Sequence, residues 1–205
     1  ACAPFRRLHL CNKNMENMDT NNNDGKAKDN LLLEVCMAAK YEGDLIKTHY
    51  TQHQVTYSDS AAELCTVLAR SFADIGDIVR GRDIFRGNDE EKKQRDKLEK
   101  NLKKFLGIYI KNEEWETNGA QKHYQDKNGG NYYKLREDWW TANRHTVWEA
   151  ITCNDDNKLA SASYFRQTCG GDENTATQAK NKCRCNDNQV PTYFDYVPQF
   201  LRWFK

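Results

Sequence analysis

The sequence predicts an all-α fold: a disulfide-linked bundle of helices joined by long irregular loops. Several segments repeat apolar residues at alternating spacings of three and four, which places them on one face of an α-helix. Eight cysteines among 205 residues are too many for a typical cytosolic chain, and their even number indicates disulfides formed in an oxidising compartment. Polar stretches rich in Asn, Asp, Gly and Thr separate the periodic segments and predict the loops.

Zinc is the alternative use of these cysteines. Zinc sites usually show cysteine pairs two residues apart, or Cys and His at ligand spacing. The closest pair here is Cys183 and Cys185, with one residue between them, and only His9 lies within a few residues of a cysteine. His49 and His53 are spaced one helical turn apart but lack identifiable further ligands. We therefore expect disulfides, no metal and no cofactor.

The charge balance argues against a global attraction for polyanions. The 31 basic and 30 acidic side chains give a net charge of +1, so no overall field draws the chain to nucleic acid or to a membrane surface. Any polyanion site must be a local patch. No apolar run approaches about 18 residues and no signal-peptide core is present, so we expect an internal piece of a larger protein.

Two helices with matching apolar seams are predicted after a polar N-terminal region. The first is capped by Asp29 or Asn30 and runs to about Tyr50, and the second occupies most of the stretch from Ser60 to Gly87. We expect an antiparallel pair in which one cysteine of each seam ties its helix to another part of the fold. The seams are Leu32, Cys36, Ala39, Gly43, Ile46 and Tyr50, and Cys65, Leu68, Phe72, Ile75 and Val79.

The second of these helices ends in the segment D-I-G-D-I. Gly76 would let another backbone approach closely, between Asp74 and Asp77. The two carboxylates, three residues apart on one helix face, have the spacing of a catalytic acid–base pair. Because Arg80 and Arg82 follow and the crossing is buried, ion pairs that fix the helix register are the favoured interpretation.

A third, amphipathic helix is predicted after Gly87, with acidic residues at its start, where the helix dipole favours them. Its apolar side carries Leu98, Leu102, Phe105, Leu106 and Tyr109. Ammonium groups on one helix face can match a row of sulfates, so the polar side is a candidate glycan-binding surface. Its candidate residues are Lys92, Lys93, Arg95, Lys97, Lys100, Lys103 and Lys104.

The alternative for this polar side is a solvated face with ion pairs one turn apart, such as Glu91 with Arg95 and Asp96 with Lys100. A second candidate for glycan binding is the Arg6–Arg7 pair, because guanidinium forks suit sulfate and carboxylate. Its alternative is structural pairing near the N-terminus.

The C-terminal third is predicted as two further helices around a long loop. One helix spans 133–152, and the other opens after Pro191, with Pro198 tolerable only near a helix start. The loop 154–190 is too long to be ordered without bridges. Its flanks contain aromatic side chains that could stack on sugar rings or bases but whose helical spacing is typical of a core: Trp139, Trp140, Tyr193, Phe194 and Tyr196.

Four segments together identify a family. They are CAPFRRLHLC, ARSFADIGDIVRGRD, DWWTANRHTVWEAITC, and CRC followed by VPTYFDYVPQFLRWF. They resemble the alpha class of Duffy-binding-like domains, found at the head of the erythrocyte membrane protein 1 adhesins of the malaria parasite, over essentially the whole chain.

The resemblance implies an adhesion domain without enzymatic activity, the ectodomain part of a larger transmembrane protein on the outer face of infected erythrocytes. It implies cytoadhesion or rosetting, which is binding to uninfected red cells, through a heparan-sulfate-like glycan, a blood-group sugar or complement receptor one. Antibodies and neighbouring domains of the same adhesin are further implied partners, and nucleic acid is not. Other members of the class contribute mainly to the structure of the adhesin head, beside a neighbouring domain that binds the receptor.

The resemblance also implies domain boundaries and cysteine pairs. Residues 1–28 would be the end of a first subdomain with an Asn-rich loop, and residues 29–205 a helical second subdomain, with the third absent. Cys2 and Cys11 would have their partners outside this chain. By analogy with the family, the pairs would be Cys36 with Cys153, Cys65 with Cys183 or Cys185, and Cys169 with the remaining one.

Overall fold

A computed structural model describes most of the chain. The described residues are 2–18, 27–57, 61–111, 123–124, 130–153, 155, 157–170, 172, 174–186 and 189–203. Within these ranges, only the backbone is described for residues 27–29, 51–57, 61–63 and 111.

Helices dominate the described residues, as the sequence predicts. The α-helices are α1 (Phe5–Leu8), α2 (Lys13–Glu16), α3 (Ala27–Tyr57), α4 (Ala61–Arg80), α5 (Asp89–Lys111), α6 (Tyr133–Ile151) and α7 (Gln199–Trp203), with a 3-10 helix at Phe194–Tyr196. The all-α prediction omits one small feature, an antiparallel pair of strands, β1 (Gln167–Cys169) and β2 (Thr177–Gln178). None of the helices in the described part of the chain is long and apolar enough to cross a membrane.

Helix α4 lies at the centre of the fold. The five residues of its predicted seam are each at most 2% exposed, so the predicted seam is confirmed: Cys65, Leu68, Phe72, Ile75 and Val79. Helix α4 contacts α1, α3, α6, α7 and the 3-10 helix, whereas α5 packs against α2 and α3. Burial of this seam is the main hydrophobic contribution of α4 to stability.

Two glycines allow close approach to α6. A Cβ added at Gly43 of α3 would overlap the backbone carbonyl oxygen of Ile151, so α3 and α6 touch backbone to backbone there. The expectation for Gly76 needs correction, because its neighbour is a side chain. A Cβ at Gly76 would lie 2.7 Å from Cζ2 of the Trp140 indole, so the indole packs directly against α4 at this glycine.

Two disulfides hold the segment after α6. Cys65 bonds to Cys183 across 118 residues, and Cys169 bonds to Cys185 across 16 residues. The first ties the central helix to the loop that contains β1 and β2, and the second closes that loop on itself. Of the two partners that the resemblance leaves open for Cys65, the structure therefore forms the bond with Cys183.

The pairing of Cys36 with Cys153 is absent, because both are free thiols in the structure. The sulfur of Cys153 instead lies 3.7 Å from the Lys40 ammonium, and Lys47 donates a hydrogen bond to the Cys153 carbonyl oxygen. Polar contacts and helix packing, rather than a disulfide, join α3 to the end of α6. Cys2 and Cys11 are also free.

The last helix begins later than predicted. Helix α7 starts after Pro198, not after Pro191, and the 3-10 turn at Phe194–Tyr196 precedes it. Proline lacks an N–H and fits the first turn of a helix, so Pro198 sets the start of α7. Helix α3 also differs from its prediction, since it extends beyond residues 29–50 at both ends.

Candidate functional site

The carboxylates of D-I-G-D-I are held by arginines from three elements. Asp74 accepts hydrogen bonds from Arg6 at 3.1 Å and from Arg202 at 2.8 Å. Asp77 accepts from Arg80 at 3.0 Å and also from Arg202. Both aspartates are buried. The predicted role of these aspartates in ion pairs is therefore confirmed, since both carboxylates pair with arginines, although Arg82 is not among their partners.

Burial raises the pKa of two carboxyl groups in the centre of the fold, Asp77 and Glu42. Desolvation raises the pKa of Asp77 to about 6, although Arg202 and Arg80 oppose the shift. Desolvation also raises the pKa of Glu42, which accepts hydrogen bonds from the Ser71 hydroxyl and the Cys11 backbone N–H. The centre of the fold thus contains ionisable groups whose hydration has been lost.

The sequence analysis missed a second set of ion pairs beside the first. Arg144 donates two hydrogen bonds of 2.8 Å to Asp195, one to each carboxylate oxygen. The Trp140 indole donates to the same carboxylate at 2.9 Å, and Arg80 donates to the backbone carbonyl of Asp195. The available signal was a single acid inside the aromatic run TYFDY, because a lone charge among aromatic residues needs a partner when buried. Arg82, which the prediction placed in the aspartate cluster, pairs instead with Glu137 at 2.6 Å.

Arg6 and Arg7 do not form an open glycan site. Arg7 is 5% exposed, donates twice to the Asp83 carboxylate and lies 4.7 Å from the Phe85 ring centre. Arg6 pairs with Asp74 on α4. Because internal carboxylates occupy both guanidinium groups, the structural alternative is correct for this pair.

Helix α5 begins with a capping box. The Asn88 side chain accepts from the Glu91 backbone N–H at 2.9 Å, and the Glu91 carboxylate accepts from the Asn88 backbone N–H at 2.7 Å. Glu91 therefore caps the helix instead of pairing with Arg95. The predicted apolar side of α5 is confirmed, since Leu98, Leu102, Phe105, Leu106 and Tyr109 are all at most 9% exposed.

Four lysines form one straight row on the outer face of α5, which we call the lysine row: Lys93, Lys97, Lys100 and Lys104. Their spacing of four, three and four residues places them within a narrow angle of the helix, over about 16 Å. All four are exposed. Lys93 lies 3.5 Å from Glu90, an exposed pair, and Lys97 donates to the Asn17 side chain at 2.8 Å. The expected pair of Asp96 with Lys100 is not among the ion pairs of the described residues.

The other three candidate cations of α5 lie away from the lysine row. Helical geometry puts Lys92 and Lys103 roughly a quarter turn away, and Lys103 lies 3.8 Å from Glu99. Glu99 in turn accepts two hydrogen bonds from buried Arg136. Arg95 lies on the opposite side of the helix and is half-buried. The seven predicted residues therefore do not form a single surface.

The aromatic candidates divide into core and surface. Trp139 and Trp140 are buried, and Trp140 packs on Phe72 with ring centres 5.1 Å apart. Tyr193 and Tyr196, by contrast, are 54% and 44% exposed, with ring centres 6.4 Å apart. We call these two residues the tyrosine pair. The core interpretation is correct for the tryptophans and wrong for the tyrosine pair, because the 3-10 turn exposes both rings.

The Arg144 guanidinium supports the tyrosine pair, with its central carbon 5.6 Å and 5.3 Å from the two ring centres. Among the described residues, no group of three or more His, Cys, Asp and Glu side chains could hold a metal ion. The side chain of His53 lies outside the described residues, so a metal site with His49 is not tested.

These features define a class of protein: a disulfide-bonded helical domain whose central aspartates pair with internal arginines and whose candidate binding groups lie on exposed faces. The family model of the Duffy binding domain matches residues 1–202, and the chain belongs to this family.

The chain is more similar to a solved alpha-class domain than to a solved beta-class domain, which agrees with the alpha class. The chain is 43% identical to the NTS-DBL1(alpha-1) domain of PfEMP1 from the varO strain of Plasmodium falciparum, with a TM-score of 0.74, covering 99% of this chain and 42% of that one. It is 34% identical to the ICAM-1-binding PfEMP1 IT4var13 DBLbeta domain, with a TM-score of 0.70, covering 98% and 41%. Both structures are more than twice as long as this chain.

A curated relative is more distant. The Duffy receptor beta form of Plasmodium knowlesi is 26% identical over 164 residues, which are 77% of this chain and 12% of that protein. The chain thus spans about an eighth of the length of this relative.

Proposed function

We propose that this chain is part of a host-receptor-binding adhesion domain on the outer face of infected erythrocytes, and that the lysine row binds a sulfated glycan of the heparan sulfate kind. Family membership supports the adhesive role, and a relative with 34% identity is named for its binding to ICAM-1. The observation that carries the glycan proposal is the exposed alignment of Lys93, Lys97, Lys100 and Lys104. The division into subdomains at residue 28 stays a prediction.

The physical argument is local charge density. The chain as a whole carries a net charge of +1, so attraction to a polyanion must come from one surface. Four ammonium groups within about 16 Å can displace the counterions of a sulfated chain, which gives a salt-dependent affinity. The exposed pair of Lys93 with Glu90 competes only weakly, because surface ion pairs contribute about 0–1 kcal/mol.

The test compares two variants with the same change in net charge. One replaces Lys93, Lys97, Lys100 and Lys104 with Glu; the control replaces four exposed lysines elsewhere, Lys134, Lys158, Lys180 and Lys182. We expect the first variant to lose roughly 100-fold or more of its heparin affinity at physiological salt and the control to lose far less. Circular dichroism checks the fold of both. Equal losses would contradict a site at the lysine row.

A second candidate surface is the tyrosine pair. Two exposed aromatic rings backed by a guanidinium form a platform on which a neutral sugar, such as a blood-group sugar, can stack. Replacing Tyr193 and Tyr196 with Ala tests this surface without changing the charge of the chain.

Binding to uninfected red cells separates these possibilities. Binding that soluble heparin removes, and that the lysine-row variant lacks, supports a glycan receptor. Binding that ignores heparin but needs the tyrosine pair points to a neutral sugar. Binding that needs neither surface points to a protein receptor such as complement receptor one. A folded protein that binds no cells would favour a structural role beside a neighbouring domain of the adhesin, with its surface exposed to antibodies.

A further inference from the structure

The guanidinium group of Arg95 has a buried donor atom without a hydrogen-bond partner. It lies on the side of α5 opposite the lysine row, half-buried, and its Nη1 atom is buried without a hydrogen-bond partner. The expected partner, Glu91, is engaged in the capping box. A buried donor without a partner has lost its hydration with nothing in return, so such an atom needs an explanation. A ligand that accepts from this guanidinium would supply one.

Two clefts meet at Arg95. The larger, of about 430 Å³, lies between the α1–α2 region and the first turns of α5, and the smaller, of about 250 Å³, lies between α5 and the start of α6. Arg7, Asn12 and Arg95 line both clefts. The larger volume falls in the range of pockets that hold small ligands or a few side chains.

The charges around the larger cleft favour an anion. The cleft is lined by four basic residues, Arg7, His9, Lys13 and Arg95. Of these, Arg7 is already paired with Asp83. Two carboxylates also line the cleft. The Glu91 carboxylate is hydrogen-bonded in the helix cap. The positive charges of Lys97 and Lys13 act on the Glu16 carboxylate. Arg95 is therefore left to pair with an incoming acid.

The walls of the larger cleft indicate the chemistry attached to that acid. Leu8, Leu10 and Phe85 line it, and Leu8 is 44% exposed. The planar fork of a guanidinium matches a carboxylate through two parallel hydrogen bonds. Apolar walls beside that fork suit an aliphatic or aromatic side chain better than a hydroxylated sugar ring, because burying hydroxyl groups without partners costs free energy.

We propose that this cleft is a second binding site, which takes an acidic peptide segment of a partner protein. An Asp or Glu carboxylate of the segment pairs with Arg95, and a neighbouring apolar side chain packs on Leu8 and Phe85. This site is separate from the lysine row, because the two lie on opposite sides of α5.

The test uses a small peptide as the probe. N-acetyl-Leu-Glu-amide is titrated into the full chain, and the Arg Nε–Hε signals are followed by NMR. We expect a saturable shift of the Arg95 signal, and at least tenfold weaker binding in Arg95→Gln when followed by backbone amide signals. The lysine-row variant binds the peptide as the unchanged chain does, which separates this site from the glycan proposal. Absence of a saturable shift, or equal binding by Arg95→Gln, would overturn the proposal.

Two controls define the ligand class. N-acetyl-Leu-Gln-amide lacks the carboxylate and is expected not to bind, and equal binding by it would refute a carboxylate site. Sodium sulfate that binds as tightly as the acidic peptide would refute the peptide and leave a simple anion site. Arg95→Lys keeps the charge without the fork and serves if Arg95→Gln does not fold. We expect it to bind the peptide at least fivefold more weakly, and unchanged binding would contradict a role for the fork.

Discussion

Arg202 Nη2 lies 2.8 Å from Asp74 Oδ1, which joins the last helix to the middle of α4 across 128 residues of sequence. The same guanidinium also pairs with Asp77. Helix α7 has five residues, and an isolated helix of that length is unstable in water. The position of α7 therefore depends on its contacts with α4, and Arg202 supplies the charged ones.

Replacing Arg202 with Ala is expected to lower the free energy of unfolding by about 3–5 kcal/mol, because Asp74 and Asp77 would stay buried with one cation fewer. Urea denaturation measures the change. The matched control is Arg166→Ala, an exposed arginine that contacts Phe165, for which we expect a change within about 0.5 kcal/mol. Similar losses in the two variants would show that the buried network adds little to stability.

The raised pKa of Asp77 makes the free energy of unfolding depend on pH. Its folded pKa of about 6 lies above its ordinary value of 3.8, so the folded state binds this proton more tightly than the unfolded state. The contribution of Asp77 to stability is therefore fully present below pH 3.8 and is lost as the pH rises through 6. Relative to Asp77→Asn, the unchanged chain should lose up to about 3 kcal/mol between pH 4 and 6.5.

Urea denaturation across this pH range measures the difference between the two chains. Asp155→Asn provides a control that should show almost no change over this range, because hydrogen bonds from Cys153 and Lys40 lower the pKa of Asp155. Its contribution is present above pH 3.8 and lost as the pH falls through its lowered pKa. A difference between the unchanged chain and Asp77→Asn that stays constant from pH 4 to 6.5 would contradict the raised pKa of Asp77.

Periodicity predicted those elements whose stability comes from one buried face. The seam of α4 and the apolar side of α5 could be read from spacing alone, because a helix repeats every 3.6 residues. Ion pairs carry no such signal. Arg6 finds its partner 68 residues away and Arg144 finds Asp195 51 residues away, so only the folded chain shows which charges meet.

The candidate glycan surface was predicted in part for the same reason. Composition showed that α5 is rich in lysine, but the side of the helix on which each cation lies depends on its angle around the axis. Lys93 and Arg95 are two residues apart, and about 200° of rotation separates them. The tyrosine pair was misjudged because a 3-10 turn, rather than the predicted α-helix, orients Tyr193 and Tyr196.

The free thiol of Cys36 should lose its proton only at high pH. Burial, aided by the charge of Glu149, raises its pKa to about 11. Its rate of alkylation by iodoacetamide is therefore expected to rise about tenfold per pH unit from pH 8 to 10, whereas an ordinary thiol of pKa about 8.5 levels off in that range. Mass spectrometry of the Cys36 peptide measures the rate. If that peptide stays unlabelled without reductant and is recovered joined to the Cys153 peptide, the pairing that the family resemblance implies is correct and the free thiols are not.

Two helical glycines should respond to Ala with opposite signs. Alanine has the higher helix propensity by about 1 kcal/mol, which favours both substitutions. At Gly43 the new Cβ would overlap the carbonyl oxygen of Ile151, and backbone cannot move aside without separating α3 from α6. We expect Gly43→Ala to lower the free energy of unfolding by about 1–3 kcal/mol, the usual cost of overpacking.

At Gly107 of α5 the new Cβ would lie 3.4 Å from the Tyr132 hydroxyl, an ordinary contact distance. We expect Gly107→Ala to raise the free energy of unfolding by about 0.5–1 kcal/mol, because the propensity gain is not offset. Urea denaturation of the two variants side by side gives the signs. Stabilisation by both would mean that α3 and α6 do not touch at Gly43, and destabilisation by both would mean that the surroundings of Gly107 are tighter than the structure shows.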